Sequence, residues 1–212
     1  MDELKTIRST GLPTFLRRWY GPPDQDAIEI DEAISMPDPL RAWYHLTSQW
    51  STPMSRHNRF SSLDGLSHDG GMLIFWHENQ GAASWATEAA GSDPLVYESE
   101  VDEDGDWEST GFTLTKFLLY VAVSEAVHGN PQVAVNFDLS RQEYEGLESH
   151  FCSLDDPVWN YPNPNWRYMA AENLVAEGGS ESPVYDEPER YWIMVSTNDP
   201  KALRRLPQHL LE

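Results

Sequence analysis

Cysteine is nearly absent from this chain of 212 residues: Cys152 stands alone. That excludes an internal disulfide framework and any zinc or iron–sulfur site built from several cysteines. Positive charge is scarce as well, with 14 Lys and Arg against 35 Asp and Glu, a net charge of −21. Such a balance argues against direct binding to phosphate backbones or anionic membranes and leaves a cationic partner open. Long apolar runs are missing too. The longest, residues 117–123, falls far short of the roughly 20 residues that span a bilayer, and charged residues stand at the N-terminus where a signal peptide needs its apolar segment. A cytoplasmic protein is expected. The chain has no Gly-x-x-x-x-Gly-Lys phosphate loop, no dinucleotide-binding glycine turn and no Gly-x-Ser-x-Gly nucleophile elbow, so no cofactor is expected and no catalytic residue is nominated.

Aromatic residues are plentiful. Nine Trp and nine Tyr within a hydrophobic fraction of 40% can bury enough apolar surface to offset chain entropy, which excludes wholesale disorder. The length suits one domain spanning 1–212: N-terminal helices over 1–60, a core of sheet and helix over 61–130, and a C-terminal elaboration over 131–212. Charge is unevenly distributed along it. Residues 1–59 hold eight acids and seven bases, whereas residues 60–115 hold twelve acids and no Lys or Arg.

Leu12, Phe15, Leu16 and Trp19 recur at helical spacing, Pro13 suits a first turn and Gly21 can end it, which predicts an amphipathic helix. A second, weak helix is expected over residues 26–34. A third is expected to be capped by Asp38 and started by Pro39, with Leu40, Trp43 and Tyr44 on one face and its end near Trp50. From Met72 the pattern turns to strands: 72–76, then 83–88, then 95–101, with Asp104-Gly105 offering a tight hairpin before Trp107. This region reads as an antiparallel meander, and strict alternation places Ile74 and Trp76 on one face with Phe75 on the other. Leu114, Phe117, Leu118 and Val121 predict a helix behind a Thr113 cap, ended by His128-Gly129-Asn130-Pro131. Residues 131–165 yield only a short helix around 142–151. Strands follow over 166–175, interrupted by a Glu172-Asn173 turn, and over 190–197, with a last helix from Pro200.

Two motifs imitate metal sites. Glu100-x-Asp102-x-Asp104-Gly105 has the spaced oxygens of a calcium loop, yet Gly111 stands where the bidentate Glu is needed. His77-Glu78 opens like a zinc-protease motif but lacks the second His. No metal is expected at either. Cys152 and His150 are only two residues apart in an unassigned stretch, which defines no nucleophile and base geometry.

The order of five segments carries a resemblance: Met36-Pro37-Asp38-Pro39-Leu40-Arg41-Ala42-Trp43-Tyr44, then Ile74-Phe75-Trp76-His77-Glu78-Asn79-Gln80-Gly81, then Ser84-Trp85-Ala86, then Ser92-Asp93-Pro94-Leu95-Val96-Tyr97, then the helix with Leu114, Phe117 and Leu118. This succession resembles the SUKH superfamily, which contains the fungal cell-wall assembly regulator and many bacterial immunity proteins. The match covers residues 36–128 and is tightest at 78–81 and 91–96; Met36 stands where the family's helix motif usually has Leu. The resemblance implies an α+β fold, a mainly antiparallel twisted sheet flanked by helices.

Its functional implication is a non-enzymatic protein-binding module, most concretely an immunity protein that occludes a cognate toxin; a regulatory scaffold binding housekeeping partners is the alternative. The net charge fits that implication if the toxin is cationic, such as a nuclease with a basic groove. Candidate partner-binding residues are Trp76, Glu78, Asn79, Gln80, Trp85 and Asp93 at the strand ends, with Asp102, Glu103, Asp104, Asp106, Trp107 and Glu108 around the hairpin. Two readings of the first six stand side by side: strand and turn residues of a half-buried sheet, or a surface that accepts another protein.

Overall fold

The computed structural model describes residues 11–100, 106–154, 165–181 and 189–207. The fold is α+β with antiparallel sheets, as the sequence predicts, and the strands divide between two sheets. The chain forms two compact units, Gly21–Ala122 and Met1–Tyr20 with Val123–Glu212. Their boundary falls inside a helix, so no linker composition marks it in the sequence. Among the described residues, no helix is long and apolar enough to cross a membrane.

Helix α1 (Gly11–Tyr20) buries Phe15, Leu16 and Trp19 on one face, and Gly21 ends it in the left-handed region at φ +84°. In the unit Gly21–Ala122, residues 26–34 form no helix. Asp31 turns the chain locally instead, its carboxylate accepting from Ala33 N (2.8 Å). The Arg41 guanidinium then takes the carbonyls of Asp31 (3.1 Å) and Ile34 (2.6 Å). Asp, competing for nearby backbone N–H groups, favours turns over helix interiors. Helix α2 (Asp38–Thr47) follows with Pro37 at the N-cap position and no side-chain cap, so Asp38 sits in the first turn and is not the cap; the helix ends at Thr47, short of Trp50.

The sheet of this unit is built from β1 (Arg59–Phe60), β2 (Ser67–Asp69), β3 (Met72–His77), β4 (Ala83–Glu88), β5 (Leu95–Glu100) and β6 (Glu108–Thr113), in the order β1-β3-β4-β5-β6 with β2 also paired to β3. The predicted meander is therefore present. Helix α3 (Leu114–His128) begins where expected, but its first turn is held from elsewhere. Asp93 Oδ1 accepts from Thr115 N (2.8 Å) and Pro94 O from Leu114 N (2.8 Å), the service that Thr113 was expected to give.

The other unit contains β7 (Val133–Leu139), α4 (Arg141–Glu148), β8 (Cys152–Ser153), β9 (Arg167–Ala171), β10 (Leu174–Ser180), β11 (Tyr191–Thr197) and α5 (Pro200–Leu203). Its sheet runs β7-β11-β10-β9-β8, all antiparallel. Glu172 and Asn173 join β9 to β10, with Asn173 at φ +59°, a conformation Asn tolerates in tight turns. Ser140 and Glu143 close a capping box on α4. Leu139, Leu147, Met169, Leu174, Ile193 and Val195 belong to one buried apolar cluster, which also takes in Ala202 and Leu206.

Candidate partner-binding surface

Cross-strand register fixes which way each side chain of the first sheet points. Trp76 stands opposite Trp85, and Trp85 opposite Glu98, so all three share a face. Phe117 from α3 packs against Trp76 (5.7 Å) and Trp85 (6.2 Å), which makes that face the inner one. The pairing shifts between Ile74 and Trp76, and this bulge adds one residue to β3. Phe75 and Trp76 consequently both turn inward. Each has no exposed surface, and Phe75 meets Phe60 (5.7 Å) and Phe117 (5.9 Å). The alternation expected from the sequence, with these two neighbours on opposite faces, is corrected by that bulge. Trp76 and Trp85, 4.4 Å apart, are core residues and offer no area to a partner. Trp85 Nε1 donates to Glu98 Oε2 (3.2 Å), giving that buried carboxylate a hydrogen bond.

The outer face carries Ile74, Ala86 and Tyr97 in one row and His77, Ser84 and Ser99 in the next. His77 lies between two hydroxyls, Ser61 Oγ at 3.2 Å from Nε2 and Ser84 Oγ at 3.0 Å from Nδ1. Burial, and then the charge of Arg59, hold its pKa below the ordinary imidazole value. Asp69, Met72 and Glu88 pair across β2, β3 and β4 on this same face. Trp107, half-buried, donates from Nε1 to Asp69 Oδ2 (3.2 Å) and ties the lead into β6 to β2.

The turn at 78–81 is braced from within. Glu78 Oε2 accepts from Gln80 N (2.7 Å) and Ala82 N (3.1 Å), Gly81 sits at φ +80°, and Asn79 N donates to Asn58 Oδ1 (3.2 Å). Glu78 and Asn79 thus hold the turn, Gln80 stays exposed, and Asp93, also exposed, steadies the start of α3. Asp102, Glu103 and Asp104 lie outside the described residues. Asp106 and Glu108 are exposed, as are Glu88 and Glu100. Glu108 stands directly opposite Glu98, a like-charge pairing that disfavours the strand pair. Among the described candidate residues, Gln80, Asp93, Asp106 and Glu108 reach solvent and the tryptophans Trp76 and Trp85 do not.

One polar constellation in the other unit escaped the sequence entirely. His128 Nε2 and Glu177 Oε2 are 2.5 Å apart, with Glu125, Ser124 and Tyr168 also buried. Burial opposes the charged imidazolium, but the Glu177 hydrogen bond and the charges of Glu177 and Glu125 outweigh it, so the His128 pKa is raised. Burial first, then Glu177, pushes the Tyr168 hydroxyl well up, while a hydrogen bond with Ser124 works the other way. The arrangement sets a mostly buried imidazole against the buried carboxylate of Glu177. No signal could have found it, because His128 and Glu177 are 49 residues apart and only the packing of α3 on β9 and β10 joins them. No group of His, Cys, Asp and Glu able to hold a metal ion occurs among the described residues.

No protein-family model, curated protein or solved structure matches this chain.

Proposed function

We propose that the chain is a non-enzymatic protein-binding module that neutralises a cationic toxin in the cytoplasm, drawing it in through the acidic segment 60–115. One observation carries this reading. Twelve acids without a single Lys or Arg lie in the stretch that forms the first sheet, and Glu88, Glu100, Asp106 and Glu108 among them face solvent. Exposed charge of one sign raises the local concentration of a basic partner and speeds its arrival. It also repels competing nucleic acid, which a nuclease inhibitor has to displace. The resemblance to the SUKH superfamily supports the same reading, and with Trp76 and Trp85 buried the contact proposed is made by the exposed acids.

The test is co-expression with the product of the adjacent reading frame. A basic protein that stops growth alone, and is silenced by this chain but not by a variant carrying E100Q, D106N and E108Q, is the expected result. An adjacent frame whose product is harmless, or toxicity that the variant relieves as well as wild type, overturns the proposal and favours a scaffold for housekeeping partners.

A further inference from the structure

Among the described residues the most exposed large apolar side chains are both on β7: Phe137 at 60% and Val133 at 43%. Among the described residues β7 ends its sheet, with β11 as its one paired strand. Thr197 N donates to Gln132 O (3.1 Å), and Val133 stands opposite Ser196. That makes 133 and 196 a pair without mutual hydrogen bonds, so the N–H and C=O of Val133, and of Val135 two residues on, point away from β11 to the open edge. Val133 and Val135 face the same side as Ser196 and Met194. Phe137, stacked on Trp192 (6.2 Å, 25°), continues that side. Edge strands are commonly blunted by Lys or by an internal Pro; β7 reads VAVNFDL and has neither.

We propose that β7 pairs antiparallel with the β7 of a second copy of this chain about a two-fold axis at Val135, joining the two five-stranded sheets edge to edge. Three features select that occupant. The register is self-complementary: Val135 meets Val135, and Val133 meets Phe137, so the apolar side of the strand is continuous across the junction. Registers centred two residues to either side fail. A centre at Val133 sets Val135 opposite Pro131, which has no N–H to give, and a centre at Phe137 sets Val133 opposite Arg141, already in α4. Charge agrees. Two copies of a chain of net −21 repel over most approaches, yet residues 126–137 contain no Asp, Glu, Lys or Arg, and Asp138, bridged to Arg190, would face Gln132. A cationic partner finds no acid along this edge until Asp138.

Sedimentation equilibrium over a concentration series tests it. Wild type is expected to rise from 24.2 kDa to twice that mass. V135P removes an outward N–H while sparing the ladder to β11, and F137K places a charge in the junction; both are expected to stay at the lower mass. Should V135P fail to fold, V135C in a C152S background keeps the question open to measurement. Paired residues of this kind lie about 5.5 Å apart at Cα, within disulfide reach. V135C is then expected to give an oxidised covalent dimer, V133C none by itself, and a mixture of V133C and F137C a covalent dimer again. A single 24.2 kDa species at every concentration, with V135C uncrosslinked, overturns the proposal. A dimer that both V135P and F137K leave intact overturns it equally, by placing the interface elsewhere.

Discussion

Replacing Phe75 and Trp76 separately by Ala measures the bulge in β3. Neither side chain has exposed surface. Trp76 sits 4.4 Å from Trp85 and 5.7 Å from Phe117, while Phe75 sits 5.7 Å from Phe60 and 5.9 Å from Phe117. Emptying such a site loses the transfer free energy of the ring and leaves a cavity, together about 3–5 kcal/mol for Phe or Trp to Ala. For a chain of this size each kcal/mol lowers the thermal midpoint by roughly 2–4 °C, so each variant is expected to melt roughly 6–20 °C below wild type. Strict alternation predicts a different pair of numbers. One ring would face water, and its removal would cost no more than about 0.5 kcal/mol. Urea and thermal unfolding followed by far-UV circular dichroism separate the cases. One large loss beside one near-neutral substitution would refute the bulge; two comparable losses support it and remove Trp76 from any contact surface.

His128→Gln should destabilise most in acid. The folded pKa of His128 is raised, so its contribution is fully present below the unfolded value of about 6.5 and is lost as pH rises through the folded value. Urea midpoints across a pH series should show the gap to wild type narrowing upward, and a gap independent of pH would contradict the pairing with Glu177. Asp93→Ala strips the acceptor from Thr115 N and should cost about 0.5–2 kcal/mol, as lost helix caps do; an unchanged melting temperature would show that Pro94 O alone secures the first turn of α3. Chelator should leave the thermal midpoint where it was, since Gly111 stands where a calcium loop needs its bidentate Glu and His77-Glu78 lacks the second His; a rise of several degrees with calcium would reverse the reading of Glu100 and its neighbours.

Local chemistry made much of the fold legible. Pro13 and Gly21 bracket α1, the Glu172-Asn173 turn separates β9 from β10, and Arg141–Glu148 lies within the predicted 142–151 apart from one residue. What stayed hidden depended on pairing. In the run Met72-Leu73-Ile74-Phe75-Trp76 every side chain is apolar, so no alternation exists from which a bulge could be read. Strand β7 follows Pro131 and contains Asn136 and Asp138, turn-forming types that mask a strand whose partner, β11, lies more than 50 residues on. Two sheets in place of one follow from that same distant pairing. At the candidate surface, polarity was legible and burial was not. The acids stand in the sequence itself, whereas the inward turn of Trp76 and Trp85 and the bracing role of Glu78 arise from strand register and turn geometry.

Acidic steering is tested most directly by the association rate against ionic strength with a basic protein that this chain silences in co-expression. Wild type is compared with a variant in which Asp102, Glu103, Asp104, Asp106 and Glu108 are replaced by Asn or Gln. Screening over a Debye length of about 8 Å at physiological salt should lower the wild-type rate steeply as salt rises. The variant should start slower, with a shallower slope and a dissociation rate much less affected. Parallel curves of equal slope would contradict the account and leave the acids as a solvated surface that keeps the protein dispersed.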